Sequence, residues 1–411
     1  SHLDVAYHWK VAQAVQKNAR TTLIQFRLMD SFPDFNFTHS QAWCYETLEQ
    51  YYPDLFDELK RRIADGRWEI VGGMYVEPDC NLPSAESLAR QVIYGKLYFL
   101  EKFGVEVDNC WLPDVFGNTA VLPQILKLGG IDYFVSNKMS TWNDTNQFPH
   151  NNFIWRGLDG SEVNTCVPPT HFISWFEPDQ VVAGWDAFLD KDVVDESLFM
   201  YGYGDGGSGV TEEMLEHMAR LQKAPGMPEL RPSGGKEYLH KAFADTEQLS
   251  VWDGELYLEM HRGTFTTKGV LKRENRRGEY LAQETETLCA LAALQGADYP
   301  VISLREAWKK LLLNQFHDII PGSHTNAVYH EAMDTYAAMR SELEAMRQAA
   351  LDVLLPASDA GIVTVFNPFS DTRGGLALVQ GDVDAANTIL VDEDGEVYEI
   401  QVQQVAGGGE R

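Results

Sequence analysis

The sequence predicts an α/β protein: a seven-stranded (β/α) barrel, followed by a three-helix bundle and the start of a β domain. Three patterns carry that expectation. Short apolar runs alternate with amphipathic stretches up to about residue 250, the order expected of a parallel sheet. From 255 onward a helical period takes over, with charges on the outer face. After Pro356 the chain turns Val-rich and alternating. The boundaries implied are 1–254 for the barrel, 255–350 for the helices and 357–411 for an incomplete β-sandwich.

Strands are expected at 2–7, 22–28, 68–74, 109–113, 133–137, 163–168 and 198–203, and helices at 41–65, 85–103 and 212–223. Residues 153–155 and 162–166 flank Asp159-Gly160 and read as a hairpin inserted between helices. Asp394-Gly395 carries the same signal near the C-terminus. The stretch LKRENRRGEYLAQETETLCALAAL and the segment 303–348 supply the helical bundle.

Composition narrows the function. Among 411 residues, 61 are acidic and 33 are Lys or Arg, a formal charge of −28. Such a surface repels phosphate backbones and anionic lipid heads, which argues against nucleic acid and membrane partners. No apolar run approaches the ~18 residues of a membrane span. Five scattered cysteines (Cys44, Cys80, Cys110, Cys166, Cys289) form no CxxC pair. They read as buried reduced thiols and point to a reducing, cytoplasmic setting. The chain opens on SHLDVAY without Met and stops at VAGGGER, so it reads as a piece of something longer.

Four constellations carry chemistry. In His2-Leu3-Asp4, residues two apart on a strand face one way, aiming an imidazole and a carboxylate at one point. A structural hydrogen bond is the alternative. Asp114 follows an apolar strand within WLPDVFGN, at the usual catalytic end of a barrel strand or as a helix N-cap. His317 and Asp318 sit between WKKLLLNQF and a Pro-Gly break, where a His also suits a helix C-terminus. Together His2, Asp4, Asp114 and His317 offer two nitrogen and two oxygen donors, a set suited to zinc that also accepts cobalt. Asp205 lies among glycines in YGYGDGGSG. A phosphate loop is rejected there for want of the Walker Lys, and a calcium-type loop is the weaker alternative to an active-site carboxylate. Aromatics beside these groups, among them Tyr7, Trp111, Phe116, Trp142 and Tyr203, suit the C–H faces of sugar rings as well as a core.

SHLDVAY, WLPDVFGNTAVLPQILKLGGIDYFVSNKMSTWNDTNQFP, YGYGDGG, ELYLEMHRGTFTTKG, KRENRRGEYL and WKKLLLNQFHDIIPGS, in this order, resemble glycoside hydrolase family 38, the α-mannosidases, most of all its bacterial and cytosolic-type members. The resemblance runs from residue 2 to about 350. It implies a retaining exo-mannosidase holding one zinc ion on His2, Asp4, Asp114 and His317, with Asp114 also the nucleophile. The ion would also hold two ring hydroxyls of the mannose. Tyr7 and Phe116 would line the sugar subsite, and Lys138 and Asp318 would bind hydroxyls. Asp205 is the candidate acid/base, with Glu77, Asp79 and Asp318 in reserve. His261 and Arg262 either close the site from the helical side or form a structural pair. The expected substrate is a mannose-containing oligosaccharide, and a homo-oligomer is left open. A metal-dependent polysaccharide deacetylase and a non-catalytic sugar-binding fragment are the competing readings.

Overall fold

The computed structural model describes residues 2–355, 362–367, 371–372, 374, 389–392 and 394–401. Its first element is helix α1 (Val11–Ser31), which contains the segment 22–28 expected as a strand. The β-branched Thr21, Thr22 and Ile24 suggest a strand, but the buried positions Ala14, Asn18, Thr22, Gln25 and Met29 recur at helical spacing. Buried in that helix, Thr21 and Thr22 satisfy their hydroxyls by donating to the carbonyls of Lys17 and Asn18, 2.8 and 3.0 Å away.

Strands β1 (Phe37–His39) and β2 (Trp68–Ile70) pair in parallel, connected by α2 (Ala42–Tyr51) and α3 (Pro53–Ala64). Pro53 at the first turn separates the two helices. Helix α4 (Ala85–Phe103) begins at a Ser84 cap that accepts from Ser87 N–H and ends at Gly104, whose φ of 66° needs no Cβ.

The second sheet takes β3 (Asn109–Leu112), β4 (Tyr133–Ser136), β5 (Asn152–Arg156), β6 (Glu162–Cys166) and β7 (Val251–Asp253), in the order β3-β4-β6-β5-β7. Helices α5 (Leu122–Leu128) and α6 (Lys138–Thr141) flank β4, while α7 (Pro178–Ala187), α8 (Glu212–Leu221) and α9 (Gly235–Ala242) lie between β6 and β7. Every pairing is parallel except β5–β6, so the expected hairpin is a structural part of the sheet. Alternate residues serve opposite faces. Cys110, Leu112, Phe134, Phe153 and Val163 pack with α4 and α5, and Trp111, Val135, Ile154 and Cys166 pack with α9.

The seven-stranded barrel does not appear: among the described residues the two sheets stay separate and none closes on itself. Segments 2–7 and 198–203 hold only single bridges, Leu3 to Gly206, Ser174 to Gly202 and Tyr203 to Gly209. Positive φ at Gly202, Asp205, Gly207, Ser208 and Gly209 breaks the extended run that a ladder needs. The result is an α/β fold with a mixed sheet.

A short 3-10 turn (Arg262–Phe265) leads into α10 (Gly269–Leu294), α11 (Val301–Asn314) and α12 (Asn326–Leu354), which pack on one another. Leu271, Leu288, Trp308, Leu311, Tyr336 and Leu343 join one core with residues of α1 to α4, so the helices share their interior with the α/β part. Farther on, β8 (Leu390–Val391) and β9 (Val397–Tyr398) form the hairpin expected at Asp394-Gly395, with Gly395 at a φ of 85°. The rest of the β domain expected over 357–411 lies outside the described residues.

Candidate active site

The site is assembled from chain breaks rather than from regular elements. Leu3 is buried and fixed on both sides: Asp4 N–H donates to Asp205 O at 2.8 Å, and Gln41 Nε2 donates to Leu3 O at 2.9 Å. His2 and Asp4 thereby turn to one side of the segment. Asp114 follows β3 beyond Pro113, and Lys138 opens α6 directly after β4. His317 arrives from the end of α11 through an antiparallel bridge between Pro78 and Phe316.

These side chains meet. His2 Nε2 lies 2.9 Å from Asp4 Oδ1 and 3.7 Å from Asp114 Oδ2, and His317 Nε2 lies 3.6 Å and 3.5 Å from the same two oxygens. The imidazoles stack with centroids 5.4 Å apart. One donor atom from each of His2, Asp4, Asp114 and His317 falls within 4.8 Å of all the others, and all four residues are buried. Lys138 Nζ takes the remaining Asp114 oxygen, Oδ1, at 2.6 Å.

Charge is the common problem of this cluster. Burial opposes ionisation of Asp114, but His317, Lys138 and His2 outweigh it and hold its carboxyl well below the usual range. Burial also opposes charge on the histidines, yet Glu77 and Asp4 raise the His2 pKa, and Asp114 and Asp4 raise that of His317 to about 10. The buried carboxylates call for positive charge at this point, which a divalent ion would supply in place of protons on the imidazoles. The donor set fits such an ion on its own geometry: His317 Nε2 is fully buried without a hydrogen-bond partner and points at Asp4 and Asp114. The mixed nitrogen and oxygen donors suit zinc or a similar transition metal.

Around the cluster stands an aromatic wall. Phe116 meets His261 edge-on at 4.8 Å and His317 at 5.8 Å, Trp142 meets His261 at 5.5 Å, and Phe172 meets His2 at 5.2 Å. Lys138 Nζ sits 5.2 Å over Phe116 and 4.9 Å over Trp142. Burial and Lys138 lower the His261 pKa, so this ring is neutral in the wall. Arg262, its neighbour, is exposed. Tyr7 is held by Thr325 N–H, which donates to its carbonyl at 3.0 Å, and burial with Asp318 and Asp205 nearby raises its hydroxyl pKa.

The remaining carboxyls differ in surroundings. Asp205 has a φ of 50° and is half-buried; desolvation raises its pKa against the pull of His2. Asp318 is buried, and desolvation together with Asp4 pushes it up to about 7, while the Ser323 hydroxyl donates to its Oδ1. Glu77 is occupied at both oxygens, by Ser40 Oγ at 2.5 Å and His2 Nδ1 at 2.8 Å. Asp79 is raised by burial and turned to backbone, its Oδ1 accepting from Asn81 and Leu82 N–H at 2.8 Å. A cavity of about 810 Å³ adjoins the cluster, lined by His2, Glu77, Trp111, Phe172, Tyr201 and Tyr203 among others. Asp4, Asp114, Lys138 and His317 do not line it, so it borders the cluster instead of containing it.

Sequence reasoning missed the partners of the histidines. His317 Nδ1 lies 2.8 Å from the backbone carbonyl of Glu77, and no spacing in the sequence announces a main-chain contact. Phe172 was missed too, for a single aromatic in an irregular segment carries no period.

Residues 1–255 match the model of the glycosyl hydrolases family 38 N-terminal domain, and residues 259–354 match that of the alpha mannosidase middle domain. The human protein alpha-mannosidase 2C1 is 39% identical over 356 residues, 86% of this chain and 34% of the human one. An alpha-mannosidase of Saccharomyces cerevisiae is 35% identical over 383 residues, 88% of this chain and 35% of the yeast protein. The crystal structure of an alpha-mannosidase from Enterococcus faecalis V583 shares the fold, with a TM-score of 0.76 at 22% identity, covering 86% of this chain and 42% of that one. The chain thus spans about a third of the length of the curated relatives it matches. Since the N-terminal family model alone accounts for more than half of its residues, the chain belongs to the glycosyl hydrolases of family 38.

Proposed function

We propose that the chain carries the catalytic centre of a retaining α-mannosidase, which removes terminal non-reducing α-D-mannose from mannosides through a covalent glycosyl-enzyme intermediate. One observation carries this reading: an ionised aspartate, Asp114, fixed by Lys138 on one oxygen and by a histidine-rich donor cluster on the other, faces an aromatic wall. Relatives named alpha-mannosidase support the choice of sugar.

His2, Asp4, Asp114 and His317 would hold one zinc ion, for which cobalt can substitute. When bound, zinc supplies Lewis acidity and an anchor for sugar hydroxyls. Asp114 attacks the anomeric carbon while protonated Asp205 gives its proton to the glycosidic oxygen, and the aglycone leaves. Asp205, now a carboxylate, takes a proton from water, which displaces Asp114 and releases mannose. The raised pKa of Asp205 favours the protonated starting form. Burial raises Asp318 as well, but a dication held by its neighbour His317 would lower it, and Ser323 already engages it. Glu77 faces Ser40 and His2, and Asp79 Oδ1 is turned to the backbone N–H groups of Asn81 and Leu82. Tyr7 and Phe116 line the sugar, and Lys138 and Asp318 bind its hydroxyls. We divide the chain at 1–254, 255–350 and 357–411 into catalytic, helical and incomplete β units. Five buried free thiols fit a reducing compartment, and we place the protein in the cytoplasm. Among the described residues no helix is long and apolar enough to cross a membrane.

The test is release of nitrophenol from 4-nitrophenyl α-mannoside by chelator-stripped protein with and without zinc. A 2-fluoro-mannosyl trap read by peptide mass spectrometry accompanies it. Zinc-restored turnover with the label on Asp114 is expected. Turnover without any trapped sugar would point to direct attack of water on the anomeric carbon with no covalent intermediate. Acetate release from an N-acetylated sugar without nitrophenol release would point to a deacetylase, and sugar binding without turnover to a non-catalytic role.

A further inference from the structure

We propose that Glu77 is a positioning residue that fixes the orientation and tautomer of both site histidines at once, His2 through its carboxylate and His317 through its backbone carbonyl. His317 Nδ1 lies 2.8 Å from Glu77 O, and a carbonyl can only accept, so Nδ1 carries the hydrogen and Nε2 is left for the cluster. His2 repeats the logic with the side chain: Nδ1 is 2.8 Å from Glu77 Oε2, and Nε2 faces Asp4 and Asp114. One residue therefore selects the same ring nitrogen on two histidines that reach the site from opposite parts of the chain.

Glu77 itself is held rigidly. It is 1% exposed. Ser40 Oγ donates to Oε1 at 2.5 Å, and the Glu77 N–H donates to Gln41 Oε1 at 3.1 Å. Gln41 in turn donates to Leu3 O, between His2 and Asp4, so the carboxylate and the segment it orients share one frame. Gln41 adopts a φ of 65°, a left-handed conformation that a non-glycine residue keeps only where its surroundings impose it. On the other side Glu77 O also accepts from His317 N–H at 3.2 Å, and Asp79 N–H donates to Gln315 O at 2.9 Å. The main chain from Glu77 to Asp79 thus seats the segment that delivers His317. Its two carboxylate oxygens lie against Ser40 Oγ and His2 Nδ1, so Glu77 acts on the site through the histidines.

The inference rests on the metal reading of the site, and the experiment separates the two. Zinc affinity of the full chain is measured by competition with a chromophoric chelator for the wild type, Glu77→Met and Glu77→Gln. Long-range proton–nitrogen spectra of the zinc-loaded proteins report which ring nitrogen holds the hydrogen. The wild type is expected to show Nδ1–H on both histidines. Glu77→Met should bind zinc ~10–100-fold more weakly. Glu77→Gln, which keeps an oxygen acceptor, should recover most of that loss. In Glu77→Met only the His2 signals should change, because the carbonyl that holds His317 survives the substitution. A folded Glu77→Met with wild-type zinc affinity overturns the proposal, as does a wild-type spectrum with the hydrogen on Nε2 of either histidine. Should Glu77→Met fail to fold, the wild-type spectrum and Glu77→Gln decide. A wild type that does not bind zinc sinks the metal reading and this inference together, whereas a zinc-binding wild type matched by its variants sinks the inference alone.

Discussion

Asp205 and Asp108 show how a single carboxyl is given its task by its surroundings. If Asp205 is the acid, Asp205→Ala should keep turnover on an activated aryl mannoside, whose leaving group departs without a proton. On an alkyl mannoside it should lose ~10²–10⁴-fold. Equal losses on both substrates, measured as kcat/KM, would remove Asp205 from that role. Asp108 works for the fold. Burial opposes its charge, but His240 at 2.8 Å and Lys236 at 3.1 Å prevail and lower its pKa. A carboxyl depressed in the folded state adds stability above its unfolded pKa, roughly 3.9, and loses it as pH falls toward the folded value. Asp108→Asn should therefore lower stability at neutral pH by ~0.5–1 kcal/mol, the range of a partly exposed pair, and leave it unchanged near pH 2. Urea titrations at the two pH values read this out; an equal loss at both would show that charge is not the cause. At this scale the sequence was legible wherever residue type implies chemistry. His2, Asp4, Asp114 and His317 stand out as donors, and the matched motifs group them. The contacts of Glu77 with both histidines do not stand out, because one of them is made by a backbone atom.

At the level of elements, packing against main chain decides what a helix tolerates. Gly95, inside α4, lies where an added Cβ would meet Met74 C at 2.4 Å and Gly73 O at 2.5 Å. Helix propensity by itself favours Ala over Gly by ~1 kcal/mol. The clash with backbone reverses the sign, and Gly95→Ala should destabilise by about 1–3 kcal/mol in urea unfolding. A raised melting temperature would refute that. The displaced segment leads directly to Glu77, so zinc affinity should fall along with stability. The same competition between local preference and packing explains which elements could be read in advance. β3, β4 and β6 alternate cleanly between two buried faces and were found where expected. Residues 22–28 read as a strand because a short apolar run there looks extended, although the buried face of α1 repeats with a helical period. Residues 198–203 look extended, but left-handed residues follow at once and leave only isolated bridges.

For the whole molecule, the shared core of α1 to α4 with α10 to α12 predicts a single cooperative unfolding of both parts. Cross-links of charge and hydrogen bonding add to it, such as Arg90 to Glu286 at 2.5 Å and Gln91 Nε2 to Leu312 O at 2.9 Å. Zinc at a thousandfold excess over its Kd should stabilise that unit by ~4 kcal/mol. Calorimetry of the stripped and loaded protein should show one transition moving upward as a whole. His317→Ala, a change in the helical part, should abolish the zinc-dependent shift of the entire transition. A shift confined to one of two resolved transitions would show that the parts unfold independently. The three-part order of the chain was legible from periodicity, since 2.0 and 3.6 residue repeats separate along the sequence. Barrel closure was not, because it depends on pairing between distant segments.

The donor cluster joins His2 and Asp4 to His317, and this sets a timetable for synthesis. A ribosome adding 5–20 residues per second needs roughly 15–60 s to travel from the first of these residues to the last. Throughout that interval the nascent chain exposes two donors, then three, and never the full set. An incomplete site competes poorly with the cell's other ligands for a scarce ion. On the proposed metal reading, ion capture is therefore deferred until His317, just beyond α11, has been made and seated against the Glu77 carbonyl, so an occupied centre reports that these distant segments have been joined.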